Sequence, residues 1–310
     1  MKIKKMSKKK KIITAIIAII VAIIITGLVV VLASLNKVET KEIPKTDEEL
    51  GIKKVDNTDI EDDVKPTLNI VLYGIDRRAN DSGRSDSITI LSIDYEHSKI
   101  KLSSIMRDTY VNVEGYGMTK INHAYAYGGP VLSIKTINQN FDLDIRDYAL
   151  VDFEGLKEIV DEVGGIDINI KDYELPTMSK YGINSAGDYH LNGTQALAYC
   201  RIRYQGNGDY ERTDRHRQVL EQLFDGVKNN NMVQMTSIIN KILPYVETSL
   251  SKTDILSLTT SVVTSKITNL EQKRFPVDGF CHGDTIDGIY YLVIDKDENT
   301  KQMKEFIYDK

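Results

Sequence analysis

The chain has 310 residues, with 40 basic against 45 acidic side chains, two cysteines and no tryptophan. Two cysteines rule out a disulfide scaffold, and their spacing does not settle whether Cys200 and Cys281 meet. Seven of the basic residues (Lys2, Lys4, Lys5, Lys8, Lys9, Lys10 and Lys11) stand at the N-terminus. The rest of the chain carries 33 basic and 45 acidic residues, a formal −12 that argues against nucleic acid as a partner.

From Ile12 to Ala33 run 22 residues without a charge. At 1.5 Å per residue a helix of that length crosses a bilayer core of about 30 Å, and it is too long for the apolar region of a cleaved signal peptide. The lysines before it predict a cytoplasmic N-terminus (residues 1–11), a single-pass anchor in the cell membrane (12–33) and an extracytoplasmic remainder. Residues 34–63 are rich in acids and lack aromatic side chains, which predicts a polar stalk. Residues 64–310 are then one large domain.

Within that domain Leu68 to Tyr73, Ser87 to Ile93 and Lys99 to Ile105 read as strands. The first is so continuously apolar that the sheet is expected to be covered on both faces. Pro130 opens a helix to Phe141, and a second helix from Glu154 to Val163 stops at Gly164-Gly165. Ile166 to Ile170 alternates as a strand, and Asn192 caps a short helix through Tyr199. Arg201 to Tyr204 reads as extended, with Arg201 and Arg203 pointing the same way. Thr213 to Val227 is amphipathic, and further helices are expected at Met232 to Leu243, Thr253 to Ser265 and Asn299 to Tyr308. Helices alternating with strands predict a three-layer α/β/α domain with a central mixed sheet.

Chemistry-bearing residues gather at strand ends. Asp76 closes the first strand and Arg84 and Asp86 open the second, so one loop presents two carboxylates, a pairing that suits a hard cation such as Mg²⁺ and equally suits turn capping. Arg107 follows the third strand. All eleven arginines lie between Arg77 and Arg274, and five fall between Arg201 and Arg217. Planar guanidinium forks suit phosphate or carboxylate, although clustered arginines also occur on solvated faces.

Several stretches in order resemble the LytR-CpsA-Psr family of cell-wall glycopolymer transferases. They are Asn69 to Asp76, Gly83-Arg84-Ser85-Asp86, Arg107-Asp108-Thr109, Lys120 to Tyr125 with Gly128-Gly129-Pro130, Asp152 to Gly155, Leu191 to Arg203, and Asp209 to Gln218. The resemblance implies a lipid tunnel whose mouth holds a polyprenyl pyrophosphate by Mg²⁺, or Mn²⁺ in its place. By motif, Asp76 and Asp86 are the metal ligands. Arg84, Arg107, Arg201, Arg203, Arg212, His216 and Lys120 are the pyrophosphate ligands, and Arg107, Asp86 and Asp209 are the catalytic group. The general base stays open between Asp86, Asp209 and a water. The implied reaction moves a glycopolymer (teichoic acid, capsule or similar) from its lipid carrier to peptidoglycan. A hydrolase using the same site, and a lipid- or glycan-binding regulator, are the alternatives. The chain departs from the family pattern in a short loop between Asp76 and Asp86, in Tyr210-Glu211 for a usual Phe-Gly, and in His216 where Gln is common.

Overall fold

The computed structural model describes residues 36–53, 67–75, 85–203, 206, 208–228, 230–264 and 269–308. The basic tail, the apolar run 12–33, Asp76 and Arg84 lie outside the described residues. Among the described residues, no helix is long and apolar enough to cross a membrane.

The architecture is mixed α/β around a seven-stranded mixed sheet. Its strands are β1 (Glu39–Thr40), β2 (Leu68–Ile75), β3 (Ser85–Asp94), β4 (Lys99–Ile105), β7 (Asp147–Asp152), β10 (Glu247–Thr248) and β11 (Asn269–Phe275), in the order β1-β10-β7-β2-β3-β4-β11. β2 lies parallel to β7 and antiparallel to β3, and β3 is antiparallel to β4. Three hairpins stand off the sheet: β5–β6 (Tyr110–Val113, Gly117–Lys120), β8–β9 (Ile166–Ile170, Gly187–Leu191) and β12–β13 (Cys281–Ile286, Ile289–Ile294).

Among the described residues the α-helices of eight or more residues are α1 (Ile121–Phe141), α2 (Phe153–Val163), α3 (Gly193–Cys200), α4 (Asp209–Lys228), α5 (Met232–Ile242), α6 (Lys252–Thr264) and α7 (Lys296–Tyr308). α1 begins nine residues before Pro130, because Gly128 and Gly129 leave helical geometry without ending the helix, and Pro130 continues it past the kink. The strand alternation of β2 sends Val71, Tyr73 and Ile75 to a core shared with Ile134, Ile137 and Phe141 of α1 and Met303 and Ile307 of α7. Ile70 faces the other way, against Leu250 and Ile255, and Ile93 packs near Phe224 and Leu258. Apolar strands thus sit between two helical layers, as the run Leu68 to Tyr73 predicts.

The stalk expectation is corrected over 36–53. Val38 and Leu50 are buried, Glu39–Thr40 pairs in parallel with β10, and Asn138 donates its side-chain amide to the Leu50 carbonyl at 2.8 Å. Lys41 pairs with Glu247 at 2.6 Å and Arg146 with Asp47 at 2.6 Å. A polar average over thirty or so residues hid two apolar anchors, and the charges around them have partners on the domain.

Candidate active site

Asp86 owes its position to a fault in strand pairing. Along β2 and β3 Gly74 pairs with Ser87, but Ile75 pairs with Ser85, so Asp86 is the extra residue of a bulge. Strict alternation would send Asp86 to the same face as Ile88, into the core. The bulge re-aims it, and Asp86 and Ser87, although consecutive, both line one cavity.

Three guanidiniums converge on that carboxylate. Arg107, just past β4, donates Nη1 to Oδ1 at 2.8 Å, and Arg203 donates Nη2 to Oδ2 at 3.1 Å. Arg212, in the first turn of α4, donates Nη2 to the Asp86 backbone carbonyl at 3.1 Å and brings Nη1 to 3.7 Å from Oδ1. Asp209, at the start of α4, forms ion pairs through its Oδ1, with Arg107 Nε 3.2 Å and Arg212 Nη2 3.1 Å away, the first without hydrogen-bond geometry. Asp108 and Lys120 extend the cluster with an ion pair at 2.8 Å. Burial pushes the Asp86 carboxyl upward, but Arg212, Arg107 and Arg203 outweigh it and hold the group below the usual carboxylate range. Burial depresses the Arg107 guanidinium, yet Asp209, Asp108 and Asp86 raise it on balance.

The bonding capacity of the cluster is not used up. Arg107 Nε, Arg212 Nε, Arg212 Nη1 and Asp209 Oδ2 are buried atoms without a hydrogen-bond partner. Four cations (Arg107, Arg203, Arg212, Lys120) face three carboxylates (Asp86, Asp108, Asp209), so this cluster of described residues is net positive even before Arg201 is included. Buried donors with an excess of positive charge are complementary to an anion with several oxygens.

Arg201 caps α3 in a helical conformation and 202–203 form no strand, so the extended segment expected there is not found. Arg201 and Arg203 are nevertheless both exposed around buried Ile202. Their contacts differ, since Arg203 reaches Asp86, whereas Arg201 lies 4.6 Å over the Phe153 ring at the cavity. Two further arginines of the run serve the fold, Arg215 in a fully buried pair with Glu174 at 3.0 Å and Arg217 with Asp214.

The cavity, about 290 Å³, lies between the sheet and helices α2 to α5. Its floor is two rows across β3, β2 and β7: Thr89, Leu72 and Ala149, then Ser87, Gly74 and Val151. The hollow exists because Thr89, Ala149, Ser87 and Gly74 are small at these inward positions, and Gly74 is so close to its neighbour that a Cβ there would stand 3.1 Å from Ser87 Cβ. Phe153, Leu156, Ile159, Val219, Leu220 and Leu223 make walls that offer a ligand little beyond apolar contact.

His216 lines this cavity and not the charged cluster. Its Nε2 lies 3.1 Å from the Cys200 carbonyl, which only accepts, so the proton is on Nε2 and no N–H is left for a phosphate. Burial, then Arg212, push the imidazole down to about 3, so it is neutral. Cys200 lines the same cavity and is a free thiol that burial pushes up to about 12; Cys281 is also free, so the two do not pair. Among the described residues no group of three or more His, Cys, Asp or Glu is arranged to hold a metal ion. Sequence reasoning missed Phe153 as the partner of Arg201 and the hairpin β12–β13, which is hooked to the cluster through Leu292 N–H on the Asp108 carbonyl at 2.9 Å.

Comparison with known proteins shows the family. The polyisoprenyl-teichoic acid--peptidoglycan teichoic acid transferase TagU of Oceanobacillus iheyensis is 37% identical over 245 residues, 76% of this chain and 73% of that protein. The enzyme of the same name from Bacillus mycoides is 34% identical over 230 residues, 73% of each chain. A solved structure of TagT bound to LI-WTA superposes with a TM-score of 0.67 at 25% identity, covering 84% of this chain and 96% of that one. The profile of the LytR_cpsA_psr family matches residues 29–307, and with nearly the whole folded chain inside that match, the protein belongs to the LytR_cpsA_psr family.

Proposed function

We propose that the chain is a membrane-anchored transferase that moves a glycopolymer of the teichoic acid class from a polyprenyl-pyrophosphate carrier to peptidoglycan, outside the cytoplasmic membrane. The observation that carries this reading is the convergence of Arg107, Arg203 and Arg212 on Asp86 at the rim of an apolar cavity, with guanidinium donors still unspent. A ligand matching both features has a multi-oxygen anion joined to a hydrocarbon tail. The names of the TagU relatives supply the polymer class and the acceptor.

In this reading the lipid enters the cavity, since each CH₂ removed from water contributes about 0.8 kcal/mol. Arg107, Arg203 and Arg212 hold the pyrophosphate, with Arg201, Lys120 and Arg84 as its outer ligands, the last from outside the described residues. An acceptor hydroxyl oxygen bonds to the glycan-bearing phosphorus, and the P–O bond to the polyprenyl phosphate breaks. That lipid phosphate leaves with the bonding electron pair, and the hydroxyl proton passes to a base. Asp209 Oδ2, buried and unpartnered, is the acceptor we assign to that proton. Little covalent chemistry is asked of the protein, so positioning and charge neutralisation carry the rate.

The carboxylates fit a hard divalent cation. Each Asp86 oxygen keeps a lone pair beyond the guanidinium it meets, and phosphate oxygens competing for those guanidiniums free more. Asp86, with Asp76, would hold Mg²⁺ or Mn²⁺, which when bound supplies neutralisation of the leaving phosphate. The test uses purified full chain with a lipid-linked glycan donor, with and without peptidoglycan-derived glycan. A glycan-phosphate-glycan product and released polyprenyl phosphate are expected only with the acceptor present. Equal turnover without it would mean hydrolysis, and no turnover at all would mean a binding protein.

A further inference from the structure

The hairpin β12–β13 packs against the far end of the charged cluster. Thr109 bridges to Leu292, Tyr291 packs its ring 4.6 Å from that of Tyr110, and Lys120 Nζ lies 5.8 Å from the Tyr291 ring centre. Strand alternation puts Tyr290 on the opposite face of β13, where its ring lies across Gly283. A Cβ at position 283 would stand 2.7 Å from that ring, so only glycine leaves it room. Tyr290 nevertheless remains 48% exposed, an aromatic ring braced from behind and open in front. Burial raises its hydroxyl above the usual range, and the Asp108 and Asp209 carboxylates raise it further.

The order of groups gives this ring a meaning. Asp86 lines the apolar cavity, Arg107 spans from Asp86 to Asp209, and the strand β13 that carries Tyr290 is bonded to Asp108, next to Arg107. In phosphoryl transfer the attacking and leaving oxygens lie roughly in line with phosphorus. If the leaving polyprenyl phosphate lies on the cavity side, the attacking hydroxyl arrives from the Asp209 side. An exposed aromatic face with a polar tip suits a sugar ring, which offers C–H groups on its face and hydroxyls at its edge.

We propose that Tyr290, braced on Gly283, is the platform on which a sugar of the acceptor glycan packs, an inference that rests on the transferase reading above. The test measures transfer kinetics of the detergent-solubilised full chain, wild type and Tyr290→Ala and Tyr290→Phe. The donor is lipid-linked and the acceptor is soluble N-acetylhexosamine oligosaccharide from peptidoglycan. In parallel, saturation-transfer NMR follows binding of the same oligosaccharide alone. Tyr290→Ala should raise the acceptor KM on the order of five- to tenfold and weaken the NMR signal, leaving the donor KM and the melting temperature unchanged. Tyr290→Phe should keep most acceptor affinity, because the ring is retained. An unchanged acceptor KM and NMR signal in Tyr290→Ala overturns the platform, and a rise confined to the donor KM reassigns the ring to the donor's glycan and overturns it equally. Should the wild type fail to transfer at all, the functional reading fails, whereas the binding measurement still decides the role of Tyr290.

Discussion

Arg203 and His216 separate what a side chain's type says from what its placement says. Arg203 is exposed and bound to Asp86 at 3.1 Å, so it contributes little to folding and much to an anion bridging the cluster. Arg203→Lys should slow transfer ten- to a hundredfold, the loss of charge-assisted bonds of roughly 1.5 to 3 kcal/mol, because a point charge cannot reproduce the planar fork. Its melting temperature should stay within about 2 °C of wild type. Retained transfer with a lowered melting temperature would make Arg203 structural. For His216, the native imidazole takes a proton only near pH 3, against 6.5 ordinarily. Between those values the unfolded chain binds the extra proton, so stability falls as pH drops from about 6.5 toward 3 and is unaffected by this group above that window. His216→Gln, which can still donate to the Cys200 carbonyl, should flatten that acid limb in a series of thermal melts. An unchanged pH dependence would refute the buried neutral imidazole. Arginine density in the sequence pointed to the stretch that supplies Arg203 and Arg212 to the Asp86 cluster, but which of its five guanidiniums join that cluster depended on partners such as Glu174 and Phe153 that lie far along the chain.

Elements with strong local patterns were legible: β4 falls at the stretch read as a third strand, β8 where its alternation placed it, and α3 begins with the Asn192 cap predicted for it, in a reciprocal box with Gln195. The hairpins β5–β6 and β12–β13 were not, because residues such as Asp284 and His282 face solvent and carry no core pattern. Neither was the bulge at Asp86, a property of pairing between two strands and so invisible in either one alone. The cavity, expected from the need to shelter a lipid, turns on single positions in the sheet floor. Ala149→Phe directs a ring into that hollow, so it should cut binding of a lipid-linked donor tenfold or more while leaving the melting temperature unchanged or higher, as filling an apolar void does. Full donor affinity in Ala149→Phe would place the tail elsewhere.

For the molecule as a whole, the segment 36–53 belongs to the fold. A chain starting at residue 64 loses Val38 and Leu50 from the core, at about 1.5 to 3 kcal/mol each, and leaves β10 as a bare edge. Its melting temperature should drop on the order of 10 °C relative to a chain starting at residue 36, which should melt like the full-length protein. Equal melting of the two truncations would show that the segment is only loosely laid on the surface. The edge strand also sets a reach. The apolar run ends at Ala33 and the docked segment is already in place by Val38, so the anchor proposed at 12–33 would leave only a few residues of slack before the sheet. A domain on so short a tether would sample a thin shell above the bilayer and a narrow range of tilts. The effective concentration of lipid headgroups at the cavity mouth would then be governed by how the sheet is mounted more than by the affinity of the site for free lipid.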